Sequence, residues 1–282
     1  MRSAPLATGA ASGSETYTFV PDIRPCTRVA NVRYFARAGL VFSDVKWDEY
    51  DAVLFDLDGV LTPTAEVHMR AWEQTFSDFL RTHDGAAPYV EGDYFDYIDG
   101  KPRYEGVRSL LASRHITLPD GQPSDEPTAQ TVCGLGNRKN QLFSAILRDE
   151  GVTPYPGSVL LLDHLAERGI KVAVVSSSRN VGAVLAAAGL ADRFRVVVDG
   201  DVAVTAGLAG KPFPDTYLHA AVRVGAQVAR SVVVEDALSG VEAGNAGDFG
   251  LVVGVDRGVG ADRLIGAGAD IVVADLAELV EK

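Results

Sequence analysis

Cysteine is scarce in this sequence: Cys26 and Cys133 are the only two, and they lie far apart in unrelated contexts. This scarcity excludes a disulfide framework and the closely spaced cysteines of a zinc knuckle. Long hydrophobic runs are also missing, and no apolar stretch approaches the ~18 residues that a membrane span requires. The first 25 residues are rich in Ala, Ser, Gly, Thr and Pro and lack the apolar core of a secretory signal. We therefore expect a cytoplasmic protein.

Positive charge is in short supply. The chain has 26 Lys and Arg residues against 38 Asp and Glu residues, which gives a formal net charge of −12. This excess of negative charge argues against nucleic acid or an anionic membrane as a partner. It also repels an anionic substrate, so a site for such a substrate would need cations concentrated locally.

The abundant residues describe a globular α/β protein. With 282 residues, 47% of them hydrophobic, the chain can bury a substantial core. Short valine-rich runs predict strands at 52–57, 171–177, 195–199, 231–236, 251–256 and 270–274. Helical patterns predict helices at 157–168, 180–189, 213–225, 238–246 and 275–281. Apolar strands that alternate with helices are typical of a doubly wound, mainly parallel sheet, a Rossmann-like core.

The long interval between the first two strands breaks this rhythm. The stretch "TAEVHMRAWEQTFSDFL" places Met69, Trp72, Phe76 and Phe79 at spacings of three and four, which predicts an amphipathic helix. Helical patterns recur near 103–113 and 138–149, with a Pro/Asp/Gly-rich loop at 118–127. The domain boundaries predicted from this pattern are an N-terminal extension at 1–45 that is poorly ordered, a core domain at 46–65 and 153–282, and an inserted helical cap at 66–152.

Unusual polar residues stand at the predicted strand ends and in the loop before a helix. They are Asp56 and Asp58, then Ser176, Ser177 and Ser178, then Lys211, then Glu235 and Asp236. Each group has an ordinary alternative: a turn, a helix N-cap or a surface loop. Because the ligand crevice of a parallel sheet lies beyond the carboxyl ends of its strands, their joint occurrence favours a functional site.

These residue types suit phosphoryl transfer. Carboxylates at Asp56 and Asp236, with help from Glu235, form an oxygen-rich pocket for a hard cation such as Mg²⁺. The cation and Lys211 would neutralise a phosphoryl group, while Ser176 and backbone N–H groups bind its oxygens.

The two aspartates of the first strand end can divide the chemistry between them. Asp56 can attack phosphorus in line, and Asp58 can protonate the leaving oxygen and later deprotonate the acceptor. One carboxylate is then a nucleophile and metal ligand, and the other is a general acid/base.

The motifs "DLDGVLT", "VSSSRN", "GKPFPD" and "VEDALSG" together resemble the haloacid dehalogenase superfamily of phosphotransferases, over about residues 50 to 280. Within it, the sequence looks like the β-phosphoglucomutase-like branch, which has a helical cap inserted after the first strand. The resemblance implies that Asp56 is the nucleophile and Asp58 the general acid/base. It also implies that Mg²⁺ is bound by Asp56, the Asp58 carbonyl, Asp236 and, through water, Glu235. Ser176, Ser177 and Lys211 would then hold the transferring phosphoryl group.

The narrower resemblance rests on the substrate side of the site. "TAEVHMRAW" is similar to the segment in which the mutases carry a substrate-gating histidine, here His68, with Thr64 nearby. The similar segment "GKPRYEGV" implies that Arg103 binds the distal phosphate, and "NRKNQL" places Lys139 where the mutases have a cap lysine. The resemblance also implies that Ser178, Arg179 and Asn180 form the core side of the distal-phosphate pocket, so that all five residues bind substrate. The alternatives are that His68 lies on a helix surface and that Arg103 and Lys139 are solvated charges. Pro63 departs from the pattern, since the family usually has an aspartate there, and the extension at 1–45 has no counterpart.

Three functions are compatible with these residues. The first is a phosphomutase that interconverts β-glucose 1-phosphate and glucose 6-phosphate, with glucose 1,6-bisphosphate as activator and intermediate. The second is a phosphatase for a small sugar phosphate, and the third is a non-catalytic phosphosugar-binding protein. Binding alone would not require Asp56 and Asp58 together, and a second cationic cluster favours the mutase. We expect a small phosphorylated sugar as the partner and a monomeric protein.

Overall fold

The computed structural model describes residues 45–83 and 85–280. The predicted N-terminal extension at 1–45 lies outside these residues, apart from residue 45, and so does Cys26. Cys133 is a buried free cysteine.

The described residues form a six-stranded, entirely parallel sheet in the order β3-β2-β1-β4-β5-β6. Its strands are β1 Ala52–Phe55, β2 Lys171–Val175, β3 Val196–Val198, β4 Ser231–Glu235, β5 Leu251–Val255 and β6 Ile271–Val273. All six match predicted strands, and the doubly wound fold class is confirmed. The strands end one or two residues before the predicted limits, so Asp56, Ser176 and Asp236 lie just beyond the sheet.

The described ranges contain nine α-helices. They are α1 Thr64–Leu80, α2 Arg103–Ser113, α3 Val132–Glu150, α4 Pro156–Glu167, α5 Val181–Ala187, α6 Gly200–Ala206, α7 Asp215–Val224, α8 Leu238–Ala246 and α9 Ala261–Ala267. None of the helices in this part of the chain is both long enough and apolar enough to cross a bilayer.

Helices cover the sheet on both faces, because successive residues of a strand point in opposite directions. Val53 of β1 packs in one hydrophobic cluster, which includes Leu161 of α4. The next residue, Leu54, packs in a second cluster, which includes Tyr217 of α7. Both faces of β1 are therefore buried, as its uninterrupted apolar sequence predicts.

The segment between β1 and α4 is helical and has a hydrophobic cluster of its own. Helix α1 packs on α3, and α2 packs on α3 and on a π-helical turn at Tyr94–Ile98. Trp72, Phe76 and Phe79, predicted from their spacing, are buried in this cluster. The described residues belong to one compact unit, so the domain boundaries at 65/66 and 152/153 stay a prediction.

Some helices differ from the predicted ones. Helix α3 begins at Val132, six residues before the predicted start of 138, because the Thr131 side chain accepts a hydrogen bond from the Gly134 N–H and caps it. The predicted helix at 275–281 is a 3₁₀ turn, Leu276–Leu279, within a capping box formed by Asp275 and Glu278. Helices α6 and α9, of seven residues each, are additional to the predicted helices.

The register of the sheet brings three strand ends side by side. Phe55 of β1 pairs with Val174 of β2 on one side and with Val234 of β4 on the other. The residues that follow these strands therefore meet at one edge. The strand order reverses around β1, which is where a crevice opens in doubly wound folds.

Candidate active site

The turn that follows β1 positions the two aspartates. The Asp56 N–H donates to the Val234 carbonyl at 2.9 Å, so the sheet fixes the backbone of this residue. The Asp58 N–H donates to Oδ2 of Asp56 at 2.8 Å. Gly59 has a φ of +84°, a left-handed conformation that glycine adopts without strain and that turns the chain back. The two carboxylates consequently face one cavity from adjacent positions.

Lys211 forms a buried ionic cluster with two carboxylates. Its Nζ lies 2.5 Å from Oδ1 of Asp56 and also contacts Oε1 of Glu235. Tyr217 donates to the same Glu235 oxygen at 3.0 Å. The N–H groups of Asp236 and Ala237 donate to the other Glu235 oxygen, both at 3.0 Å. Since both Glu235 oxygens are engaged, this carboxylate holds Lys211 in position beside Asp56.

Three buried carboxylates converge at this point. Asp56, Glu235 and Asp236 each offer an oxygen, and these oxygens lie within 4.8 Å of one another. Burial and the neighbouring carboxylates raise the pKa of Asp56 and of Asp236 well above the ordinary value, although Lys211 opposes the rise. A hard divalent cation would relieve that repulsion, and an all-oxygen donor set is the one Mg²⁺ prefers. The residues present therefore fit a magnesium ion.

Asp58 is surrounded by hydrogen-bond donors. The hydroxyl of Thr64 donates to Oδ1 of Asp58 at 2.5 Å, and Nε2 of His68 lies 3.4 Å from the same oxygen. Ser176 donates to Oδ2 at 3.4 Å. Burial opposes ionisation of Asp58, but His68, Thr64 and Lys139 outweigh it and lower the pKa of Asp58 to about 2. This carboxylate is thus an ionised base in the present arrangement.

Lys139 lies deep in the site. Its Nζ contacts Nδ1 of His68 and lies 5.1 Å and 4.8 Å from the ring centroids of Trp72 and Phe143. Burial, with Arg103 nearby, lowers the pKa of Lys139 well below its usual range. Neither His68 nor Lys139 is a solvated surface group, so that alternative is wrong for both.

A second polar group joins α2 and α3 to the loop before α5. Arg103 donates to Oδ1 of Asn140 at 2.7 Å and to Oδ1 of Asn137 at 3.4 Å. Asn180 donates to the same Asn140 oxygen at 2.8 Å. Arg179 pairs with the exposed carboxylate of Asp201, with Nε and Oδ1 3.2 Å apart. Both guanidinium groups line the same cavity. Burial lowers the pKa of Arg103, and the positive charge of Arg179 lowers it further.

A cavity of about 190 Å³ connects these groups. Its lining includes thirteen of the predicted site residues: Asp56, Asp58, His68, Arg103, Lys139, Ser176, Ser177, Ser178, Arg179, Asn180, Lys211, Glu235 and Asp236. Thr64 is the exception. It is fully buried, and its hydroxyl contacts Asp58 and Thr62 instead. Thr64 orients Asp58, rather than contacting a ligand in this cavity.

Several residues of the site were not predicted. Asn140 directly follows the predicted Lys139 in the sequence, but a single helical asparagine carries no signal of its own. Asp99 precedes the "GKPR" segment and lines the cavity, and burial with Glu235 nearby raises its pKa to about 7. The next residue, Gly100, accepts a hydrogen bond from Ser177 at 2.7 Å. The Ser177 hydroxyl thus already has a backbone partner across the cavity.

Known proteins resemble this chain over both the sheet and the helical segment. A family model described as haloacid dehalogenase-like hydrolase matches residues 50–248. A Mycobacterium bovis protein named beta-phosphoglucomutase is 48% identical over 239 residues, which cover 81% of this chain and 91% of the relative. A Bacillus subtilis protein of the same name is 32% identical over 234 residues, covering 80% and 94%. The crystal structure of a Clostridium difficile beta-phosphoglucomutase shares the fold, with a TM-score of 0.66, 24% identity and coverage of 82% and 93%.

Proposed function

The chain belongs to the haloacid dehalogenase-like hydrolase family, and we propose that within this family it is a β-phosphoglucomutase. It is an enzyme of the phosphomutase and phosphatase type, as its relatives are. The proposed reaction interconverts β-glucose 1-phosphate and glucose 6-phosphate. A phosphoryl group on Asp56 and the intermediate glucose 1,6-bisphosphate would connect the two.

The first half of the proposed cycle uses Asp58 as a base. Its ionised carboxylate takes the proton of a sugar hydroxyl while that oxygen attacks the phosphorus of phosphorylated Asp56. A P–O bond forms to the sugar and the P–O bond to Asp56 breaks, which yields the bisphosphate. Thr64 and Ser176 hold the Asp58 carboxylate for this step through the hydrogen bonds at 2.5 Å and 3.4 Å.

The second half acts on the other phosphate. After the bisphosphate has turned round, a carboxylate oxygen of Asp56 attacks its second phosphorus, and the P–O bond to the sugar breaks. Asp58 returns its proton to the leaving oxygen. Lys211, already 2.5 Å from Asp56, neutralises charge on the phosphoryl oxygens.

A magnesium ion would be held directly by Asp56, Asp236 and the Asp58 carbonyl, and by Glu235 through a water molecule. When bound, it supplies positive charge against the transferring phosphoryl group. In its absence the three buried carboxylates repel one another, which is the electrostatic reason to expect a cation here.

The observation that carries the mutase proposal is a pair of guanidinium groups that line the same cavity as Lys211 but have different partners from it. A mutase binds a phosphate at both ends of one hexose, so it needs cations at two places in one cavity. Arg103 and Arg179 supply the second place, and Lys211 the first. Arg103 is also oriented, because Asn140 accepts its hydrogen bond.

A sugar-phosphate phosphatase is the second candidate, favoured by the hydrolase description of the matching family model. It would share the Asp56 phosphorylation step, with Asp58 deprotonating water instead of a sugar hydroxyl. A non-catalytic binding protein has less support, because burying Asp56 and Asp58 side by side is costly and is explained by chemistry rather than by binding.

One assay separates these functions. Purified protein is given β-glucose 1-phosphate, Mg²⁺ and a catalytic amount of glucose 1,6-bisphosphate, and glucose 6-phosphate and free phosphate are followed together. Formation of glucose 6-phosphate with little free phosphate supports the mutase. Free phosphate in stoichiometric yield supports the phosphatase. If neither glucose 6-phosphate nor free phosphate forms, both the mutase and the phosphatase proposals are contradicted.

A further inference from the structure

Three successive carbonyls of the turn after Asp58 are tied to donors from outside that turn. We name residues 58–62 the catalytic turn. The contacts are Arg257 Nε to the Gly59 carbonyl at 2.8 Å, Ser158 Oγ to the Val60 carbonyl at 2.7 Å, and the Tyr155 N–H to the Leu61 carbonyl at 3.0 Å. The tie nearest to Asp58 is the one from Arg257.

The guanidinium of Arg257 is itself fixed on two other sides. Its Nη1 donates to the Ala274 carbonyl beyond β6 at 2.9 Å. Its Cζ lies 3.9 Å from the ring centroid of Tyr155, a cation–π contact. Asp256 accepts hydrogen bonds from two N–H groups of the following loop, at 2.9 Å and 3.0 Å, which orders the segment carrying Arg257.

Tyr155 comes from a different part of the chain. It lies in the linker between α3 and α4, the return from the predicted cap to the core. The Arg257–Tyr155 pair therefore joins three segments: that linker, the loop after β5 and the catalytic turn. Because Gly59 directly follows Asp58, the hydrogen bond that holds the Gly59 carbonyl also restrains the backbone of Asp58.

Asp56 does not depend on this pair in the same way. The sheet fixes its backbone through the Val234 carbonyl at 2.9 Å. Asp58 lies beyond the strand: its N–H donates to Oδ2 of Asp56 at 2.8 Å, and on its carbonyl side the backbone is fixed by the catalytic turn.

We propose that Arg257, backed by the ring of Tyr155, is a positioning residue that holds Asp58 in place for proton transfer. This inference rests on the proposed phosphoryl transfer through Asp56. A displacement of about 1 Å in a reacting group can cost on the order of a hundredfold in rate.

The two half-reactions differ in their need for Asp58, which allows a direct test. Acetyl phosphate can phosphorylate Asp56 without a proton donor, because acetate leaves as a stable anion. Transfer from phosphorylated Asp56 to a sugar hydroxyl needs a base. Each step is measured separately, phosphorylation by intact-protein mass and transfer by single-turnover formation of the sugar bisphosphate.

The variants are Arg257→Gln and Tyr155→Leu, with Arg257→Lys as a milder change that keeps the charge. Tyr155→Phe is a matched control, because it keeps the ring. Arg230→Gln is a second control, since it makes the same substitution at an arginine whose 2.9 Å contact is with Asp51 at the opposite end of the sheet. Thermal melting reports the folded fraction of every variant.

We expect Arg257→Gln and Tyr155→Leu to slow the transfer step about 10- to 100-fold. Because the Asp58 carbonyl is a proposed metal ligand, both steps are measured at saturating Mg²⁺; phosphorylation by acetyl phosphate and the KM for the sugar phosphate should then stay within about twofold of wild type. Equal losses in both steps would show a merely structural role and overturn the inference, as would no loss in either. If wild type itself formed no phosphorylated Asp56, the proposed function would fail first, a result distinct from either of these.

Discussion

Gly59 and Asp236 approach so closely that a Cβ atom on residue 59 would lie 1.8 Å from Oδ2 of Asp236. Gly59 also has a left-handed φ of +84°, a backbone conformation that is strained for residues with a Cβ atom. We predict that Gly59→Ala displaces either the Asp236 carboxylate or the catalytic turn, and so weakens the magnesium site. The Mg²⁺ concentration for half-maximal activity should rise about tenfold or more, since one ligand is misplaced.

The control for this change is Gly85→Ala. Gly85 has a nearly identical φ of +81°, and among the described residues no atom lies within 4 Å of its added Cβ. It tests backbone strain without the clash, at a cost of about 1–2 kcal/mol in stability. If Gly59→Ala retained the wild-type Mg²⁺ requirement, the close approach would have no part in metal binding.

Removing the metal should stop catalysis and leave the fold intact. The core is held by the buried apolar faces of the sheet rather than by the three carboxylates. We predict that chelation abolishes turnover without loss of far-UV circular dichroism, and that Asp236→Ala mimics chelation at ordinary Mg²⁺ levels. Asp149→Ala, which removes an exposed carboxylate on α3, should retain activity. A large loss of helical signal on chelation would show that the metal is structural.

Most residues at the centre of this site can be predicted from the sequence, because their positions follow from local sequence patterns. Asp56 and Asp236 follow strands whose valine content makes them recognisable, and parallel strands must present their carboxyl ends together. The positions of the strand ends therefore predict that Asp56 and Asp236 lie near each other.

The remaining contacts depend on how helices pack, which no local pattern reports. Asn140 matters because α3 turns it toward Arg103 and Asn180, and a helical asparagine has no signature for that role. Thr64 was predicted as a ligand contact from its place in a motif, whereas the turn directs its hydroxyl to Asp58. Arg257 reaches the catalytic turn from a loop nearly 200 residues later in the sequence.

Replacement of Asp56 tests the covalent step. Asp56→Asn removes the nucleophile and one metal ligand, while Lys211 keeps Glu235 as a buried ionic partner. We expect the protein to fold and turnover to fall by roughly a thousandfold or more at any pH. The mass increase expected after incubation with acetyl phosphate should be absent.

Asp51→Asn is the matched control for that replacement, because it makes the same chemical change just before the other end of β1. It should keep both turnover and the mass increase. Substantial kcat in Asp56→Asn would contradict an aspartyl-phosphate mechanism altogether.

Arg103 distinguishes the mutase from the phosphatase within this chain. If it binds the distal phosphate, it touches the end of the substrate that is not reacting. A bidentate, partly desolvated guanidinium–phosphate contact contributes ~2–4 kcal/mol, or roughly thirty- to several-hundred-fold in kcat/KM. We predict a loss of that size for Arg103→Ala with β-glucose 1-phosphate. Arg103→Lys should also be impaired, because an ammonium cannot reproduce the planar fork.

The internal control for Arg103 is phosphorylation of Asp56 by acetyl phosphate, which has no distal phosphate to lose. This activity should change little in Arg103→Ala. Arg108→Ala is the matched variant, since Arg108 lies on the same helix but pairs on the surface with Glu105 and Asp120. Equal losses on both substrates would mean that Arg103 supports the helical segment through Asn137 and Asn140. Because the second cationic group is what favours a mutase over a phosphatase, an unchanged kcat/KM for the sugar phosphate would remove that argument.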